Sequence, residues 1–250
     1  MRAVYIMRLM KTTPRLHLAA PLAKDAECTL DASQSHYLTA VLRLAPGDPV
    51  RAFNSRDGEW LCYITTVSKK SAILRCDGRV AEAKPPPDID YLFAPLKHAR
   101  LDYVVQKAVE LGARRLRPVI TRRTIAERVN LERMTANVVE AAEQCNLVYV
   151  PEVMQPEKLE KVIAAWEARR ALIFCDETAA IANPLQALAT LQAPAAVLIG
   201  PEGGFAPEEK ALLRAQPFVT AISLGPRIMR ADTAAMAVLT LVQAQLGDWH

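Results

Sequence analysis

Two glycine–proline turns near the end of the chain constrain its fold more than any other feature. One lies in Leu198-Ile199-Gly200-Pro201-Glu202-Gly203-Gly204-Phe205 and the other in Leu224-Gly225-Pro226-Arg227-Ile228-Met229-Arg230. Each closes an apolar run, Ala195 to Ile199 and Val219 to Leu224, and each opens into a helical pattern. Mainly apolar runs of this length read as buried strands, which is the habit of parallel sheets. In open α/β sheets, ligands sit beyond the carboxyl ends of the strands, where such loops lie. Glycine lets the backbone approach a ligand closely, and proline presets the turn. A single loop of this kind is ordinary turn chemistry. Two of them, with these flanking residues, point to one pocket walled mainly by backbone.

The rest of the chain supports an α/β class with a separate β-rich start. Val50–Phe53, Trp60–Val67 and Ala72–Cys76 read as strands, with Asn54-Ser55-Arg56-Asp57-Gly58 as a turn between the first two. One helix interrupts them near Ser33 to Leu44, with Ser33 as its N-cap. Ala83-Lys84-Pro85-Pro86-Pro87-Asp88 is the clearest linker, because a proline triplet favours a stiff extended spacer. This divides the chain into domains 14–82 and 89–250. From Ile89 onward strands and helices alternate: Tyr91–Ala94, Arg100–Leu111, Leu116–Ile120, Asn130–Cys145, Ala171–Cys175, the two motif strands and a closing helix Ala231–Leu246. That alternation predicts a mainly parallel sheet with helices on both faces.

Composition narrows the function classes. No apolar stretch approaches the roughly 20 residues that span a bilayer, so no membrane partner is expected. Five scattered cysteines without C-x-x-C spacing argue for a reduced compartment, hence the cytoplasm. The four histidines are far apart and no ligand motif accompanies them, so no metal is expected. Net charge is only +4, but it is unevenly spread: residues 97–133 carry +6 and residues 134–250 carry −5. The densest basic stretch holds Arg114, Arg115, Arg117, Arg122, Arg123 and Arg128. Nucleic acid is the natural partner for such a stretch, and a solvated face is the alternative.

The loops themselves suit a cation better than a phosphate. Glu202 would repel a phosphate and Pro201 has no N–H to donate, and neither G-x-G-x-x-G nor G-x-x-x-x-G-K-[ST] is present. Asp232 falls in the first turn of the closing helix, where the helix dipole favours a carboxylate; an active-site carboxylate is the other reading.

The two C-terminal motifs together resemble the ribosomal RNA small-subunit methyltransferase E family, in the SPOUT class of S-adenosylmethionine (SAM) enzymes. The likeness extends through Gln106-Lys107-Ala108-Val109-Glu110-Leu111-Gly112, Glu140-Ala141-Ala142-Glu143-Gln144-Cys145 and Val41-Leu42-Arg43-Leu44-Ala45-Pro46-Gly47-Asp48. It covers roughly residues 14 to 246 and implies a start near Pro14, with Met7 or Met10 as the true first residue. It implies a small PUA-like RNA-binding β-barrel followed by a SPOUT α/β domain with a deep trefoil knot. It also implies a homodimer that methylates N3 of a uridine in 16S ribosomal RNA, position 1498 in the usual scheme, free or within the small ribosomal subunit.

On this likeness Leu198, Gly200, Gly203, Leu224, Gly225, Ile228 and Arg230 would line the SAM pocket. Arg15, His36, Arg43, Arg122 and Arg123 would contact RNA. Methylation at N3 removes the proton of a weakly acidic imide, so Arg230 would stabilise the anion, with Asp232 positioning Arg230 or the cofactor. The chain departs from the family pattern twice. Asp232 stands where glutamate is usual, and Leu147 stands where an arginine is expected, so no RNA contact transfers to Leu147. A nucleotide-phosphate enzyme and a non-catalytic RNA-binding protein of the same fold are the competing readings.

Overall fold

The computed structural model describes residues 13–68, 71–125, 128–179 and 183–249. The expected alternative starts, Met7 and Met10, lie outside the described residues. The chain forms two compact units. One is the chain up to Pro85 together with Ala142–Val150, and the other is Pro86–Ala141 together with the chain from Pro151.

The first unit is built on β1 (Arg15–His17), β2 (Glu27–Thr29), a short helix α1 (Ala32–His36) that runs into a π-turn at Tyr37–Val41, and then β3 (Pro49–Asn54), β4 (Gly58–Val67) and β5 (Ala72–Ala81). The strands form one five-stranded sheet in the order β1-β3-β4-β5-β2. β1 runs parallel to β3, and the other pairs are antiparallel. The pairing is an open path with β1 and β2 at its edges, so it is a partial barrel and not a closed ring. Leu38, Val50, Ala52, Cys62, Ile64, Leu74 and Cys76 fill its core. The helix starts earlier than its sequence pattern predicts. Asp31, not Ser33, is the N-cap: its carboxylate accepts from Gln34 N, and Gln34 returns a bond to Asp31 N. The reciprocal capping box satisfies two orphan amides, which a serine two residues later cannot do.

Residues 142–150 count with this unit because Arg15 and its neighbours bind them. The Arg15 guanidinium donates to Glu59 at 2.6 Å, to the Ala142 and Glu143 carbonyls at 2.7 and 2.8 Å, and to Leu147 O at 3.2 Å. It also lies over the Phe53 ring. His17 N donates to the Glu143 carboxylate. A cation on the exposed carbonyls of a helix end is favourable by geometry and by the helix dipole.

The second unit is a parallel sheet. Its elements are β6 (Ile89–Phe93), α2 (His98–Glu110), β7 (Arg115–Ile120), α3 (Leu131–Gln144, whose last turn counts with the first unit), β8 (Glu152–Val153), β9 (Glu157–Lys158), α4 (Leu159–Ala164), β10 (Ala171–Cys175), α5 (Pro184–Leu188), β11 (Ala195–Ile199), α6 (Pro207–Arg214), β12 (Val219–Ile222) and α7 (Ala231–Leu246). The strand order is β12-β10-β11-β6-β7-β8, with β9 also on β7, and every pairing is parallel. β6 and β11 are buried along their whole length, β11 as its apolar run predicts and β6 with the charged Asp90 included. Each such Val, Leu, Ile or Phe side chain contributes about 1.5–3 kcal/mol on burial. β12, also expected to be buried, is the edge strand and is only partly buried. α7 buries Ala231, Ala235, Val238, Leu239 and Val242, a stripe at helical spacing.

Half of the basic stretch is neutralised at the amino-terminal end of this sheet. The β6–β7 register sets Asp90 opposite Arg115. Arg115 donates to Asp90 at 2.6 Å and to Asp88 at 2.9 Å; Arg114 and Arg117 approach the same two carboxylates at 3.7 and 3.6 Å. Arg170, almost fully buried, donates to both oxygens of Asp88. Arg114, Arg115 and Arg117 are therefore each held against a carboxylate of this network. Asp90 is buried among guanidinium groups, and removing one partner of a buried ion network costs about 3–5 kcal/mol because the remaining charges are left uncompensated. Asp90→Ala is expected to lower the free energy of unfolding by that order in urea titration. Glu167→Ala, which removes an exposed carboxylate from Arg170, is expected to cost no more than about 1 kcal/mol.

Candidate functional site

The strand order fixes the site. β10 lies between β11 and β12, so the loops leaving all three strands gather at one edge of the sheet. They enclose a cavity of about 370 Å³. Its walls are Cys175-Asp176-Glu177 after β10, residues 199–205 after β11, and residues 223–225 and 227–231 after β12, closed by Ala234 of α7. Gly200, Gly203, Leu224, Gly225, Ile228 and Arg230 all line it. Leu198 does not. Its side chain is fully buried in the core with Phe174, Ala196 and Phe205, one residue too early on β11 to reach the cavity. Ile228 is almost fully exposed at the rim.

The loop after β10 went unrecognised in the sequence because it holds no glycine or proline. Only the insertion of β10 between the two motif strands brings it to the site. Its central residue, Asp176, is buried and accepts from Thr178 N and Oγ1 at 3.0 and 2.8 Å, from Lys210 Nζ at 3.0 Å and from Arg214. Burial opposes the charge, but these donors outweigh it and hold the carboxyl down to about 2. Lys210 also binds Glu177 at 2.8 Å, so α6 is fastened to the loop by two carboxylates. Burial pushes the Cys175 thiol up, which keeps it protonated and unsuited to act as a nucleophile.

The first glycine loop is shaped by its own phenylalanine. A side-chain carbon at Gly200 would come within 2.5 Å of the Phe205 ring, so residue 200 must lack one for Phe205 to fold back into the core. Gly203 is different: a side-chain carbon there would meet only the Arg123 stem, at an ordinary 3.7 Å. Gly225 has φ +109°, a backbone state that side-chain-bearing residues rarely adopt.

Two groups stand around this edge. Arg100, from α2, lies 3.6 Å from Glu202 and 3.9 Å from Asp232. Asp232 is thus next to Arg100, where sequence reasoning had paired it with Arg230. Arg230 is the exposed N-cap residue of α7 and makes no side-chain capping bond. In the second group, Glu209 is buried at the start of α6. One of its oxygens accepts from Ala206 N and the other from Arg122 N, both at 2.8 Å. The Arg122 side chain pairs with Glu208 at 3.1 Å, and Arg123 donates to the Gly203 carbonyl at 2.8 Å.

Comparison with known proteins matches this geometry to a family. Residues 83–243 match the model of an RNA methyltransferase domain, and residues 30–75 match that of an RNA methyltransferase PUA domain. The chain is 31% identical over 238 residues to the ribosomal RNA small subunit methyltransferase E of Synechocystis, covering 93% of this chain and 78% of that protein. This chain belongs to the ribosomal RNA small subunit methyltransferase E family. The Rickettsia conorii member is 29% identical over 236 residues, covering 92% and 94% of the two chains. Among solved structures, a methyltransferase from Legionella pneumophila in complex with SAM is similar with a TM-score of 0.81 at 28% identity, covering 94% of this chain and 99% of that one. The Neisseria gonorrhoeae methyltransferase E shares the fold, with a TM-score of 0.85 at 24% identity over 95% and 100% of the chains.

The residues singled out for RNA fare differently. Arg15 is turned inward, buried, and spends four of its five donors on Glu59 and three carbonyls, so the structure gives it a structural role in place of the expected RNA contact. His36 and Arg43 are exposed at either end of the π-turn. Beside them Tyr37, Val41 and Leu42 expose apolar surface. The π-turn rotates these side chains off the buried stripe and leaves Leu38 alone in the core.

The Asp176 network gives a signed pH dependence. A carboxyl held below its unfolded value stabilises the fold above the ordinary carboxylate pKa of about 3.9, and that contribution is lost as pH falls through about 2. Asp176→Asn is expected to cost about 2 kcal/mol at pH 7 and little near pH 2, read from unfolding transitions across that range.

Proposed function

We propose that this chain transfers a methyl group from SAM to N3 of a uridine in 16S ribosomal RNA, acting in the cytoplasm as a homodimer on the RNA or the small ribosomal subunit. The observation that carries this reading is the cavity at the carboxyl ends of β10, β11 and β12. Its volume is in the range of small-ligand pockets, and its walls combine glycine backbone with the apolar side chains of Ile199, Phe205, Leu224 and Met229. The glycines let a ligand reach the backbone closely, and Pro201, without an N–H, disfavours the phosphate of a nucleotide. SAM in the Legionella relative supports the same choice.

Gly200, Gly203, Leu224, Gly225 and Ile228 would hold the cofactor, which supplies a methyl group on a sulfonium centre. Arg230, at the amino end of α7, would donate to a uracil oxygen while the N3 proton leaves to water. Asp232 would keep Arg100 at the same edge. RNA phosphates would be met by Arg43, Arg122 and Arg123, with His36 beside the exposed Tyr37. A trefoil knot in the last third of the chain belongs to the same reading. It is supported by β12 lying outside β10 while α7, which follows it, packs against α2 and β11.

Gly203→Val tests the pocket, because a Cβ at Gly203 would meet only the Arg123 stem, at an ordinary 3.7 Å. By calorimetry the wild type is expected to bind SAM and not ATP, and Gly203→Val is expected to bind SAM at least tenfold more weakly with unchanged thermal stability. A variant with wild-type affinity would place the ligand elsewhere. Arg230→Ala is expected to lose about a hundredfold in single-turnover methyl transfer to 16S RNA with little change in SAM affinity, and to recover partly as rising pH ionises the uridine. Wild-type protein that binds the RNA and never methylates it would favour the non-catalytic reading.

A further inference from the structure

The turn after β7 and the glycine loop after β11 meet at one side chain. Arg123 lays its stem beside Gly203 and donates from Nη1 to the Gly203 carbonyl at 2.8 Å. Among the described residues this is the only side-chain hydrogen bond to the backbone of residues 200–205. The two ends of the loop are held differently. The Ile199 carbonyl accepts from Ala94 N at 3.0 Å, and Ala206 N donates to Glu209. The second oxygen of Glu209 takes Arg122 N, so the backbone next to Arg123 is pinned to the same buried carboxylate that ends the loop. Thr121 and Thr124 close the β7 turn on themselves through Thr124 Oγ1. A stiff anchor therefore grips the middle of a loop whose glycines give it little conformational preference of its own.

The same arginine has capacity left over. A guanidinium carries five N–H donors on a rigid planar fork, and one of them is engaged at Gly203. Among the described residues no carboxylate stands within ion-pair distance of Arg123, whereas its neighbour Arg122 is paired with Glu208. Arg123 is exposed beside the cavity loop. A phosphate can take its outer edge without displacing the carbonyl on the other.

We infer that Arg123 couples the two substrates: it orders the SAM loop through the Gly203 carbonyl while its free donors bind an RNA phosphate, so each ligand tightens the other. This rests on the methyltransferase reading of the cavity. RNA that fixes the guanidinium removes part of the ordering cost that SAM would otherwise meet, and linkage makes the gain reciprocal. Arg123 is on this account a positioning residue for the cofactor as well as a contact for RNA. A residue that only gripped RNA would leave cofactor affinity untouched when removed.

The test uses S-adenosylhomocysteine, which cannot donate a methyl group, titrated calorimetrically into the full chain with and without saturating 16S RNA. Wild type is expected to bind it three- to tenfold tighter with RNA present. Arg123→Ala is expected to lose three- to tenfold in affinity without RNA, the size of one hydrogen bond, and to lose the RNA enhancement. Arg123→Lys, which keeps the charge and one donor, is expected to restore part of both. Arg169→Ala removes the same charge from an exposed position outside the site and is expected to keep both. Wild-type affinity in Arg123→Ala, an enhancement that survives in it, or weaker binding to wild type in the presence of RNA would each overturn the inference. A wild type that binds no S-adenosylhomocysteine under either condition would instead defeat the function reading on which it rests.

Discussion

The parallel ladder that seats β10 between β11 and β12 points three carboxyl ends at one edge of the sheet, and the loops leaving them can only face one another. Neither glycine turn makes a pocket by itself. The two motif strands are not neighbours, and the space between their loops is floored by Cys175, Asp176 and Glu177. Asp176 then fixes how far the floor can move. With Lys210 and Arg214 of α6 both bound to it, the helix that follows the first glycine loop is tied to the loop that follows β10. The cavity is thus shaped by ion pairs behind it and by backbone in front.

The two ends of the sheet treat charge in opposite ways. At the amino end Arg114, Arg115, Arg117 and Arg170 face Asp88, Asp90 and Glu167, so most of the positive charge is met by carboxylates at close range. At the carboxyl end Arg123, Arg227 and Arg230 are exposed and, among the described residues, have no carboxylate within ion-pair distance. Buried networks of the first kind repay desolvation poorly, and their value lies in setting register. Here Asp90 opposite Arg115 fixes β6 against β7, and a one-residue slip would bring a charged side chain into the apolar interior of the sheet. Charge left unpaired at the other end is what a polyanion can use, because release of its counterions accompanies each phosphate contact.

The architecture was legible in the sequence wherever burial and period agreed. Strands β10 and β11 and helix α7 fall on the residues that their patterns mark, since an apolar run of five and an alanine–leucine stripe each admit one reading. What the sequence concealed were relations across the sheet. Arg115 looks like a nucleic-acid contact until the register shows Asp90 beside it, and a charge window beginning at residue 97 leaves that partner out. Arg15 looks exposed until residues 142–150 are brought to it from far along the chain. Asp176 carries no local signature, because its importance comes from strand order alone. Asp31 could have been found: Asp31-Ala32-Ser33-Gln34 places a cap and a glutamine at capping-box spacing.

Glycine positions in such loops carry different kinds of information, and the distinction decides what a family resemblance can mean for each. Gly200 is required by Phe205, whose ring fills the space a side chain would need; its role is complete within the protein. Gly225 is required by its own backbone angle, which turns the chain from β12 toward α7. Gly203 answers to neither demand. The space beside it would accept a methyl group against the Arg123 stem, and its backbone is not in the left-handed region. A residue left bare where the fold does not require it points to a constraint from outside the fold. Gly203 lies on the cavity wall, where a bare backbone leaves room for close approach, and its carbonyl is the one that Arg123 holds.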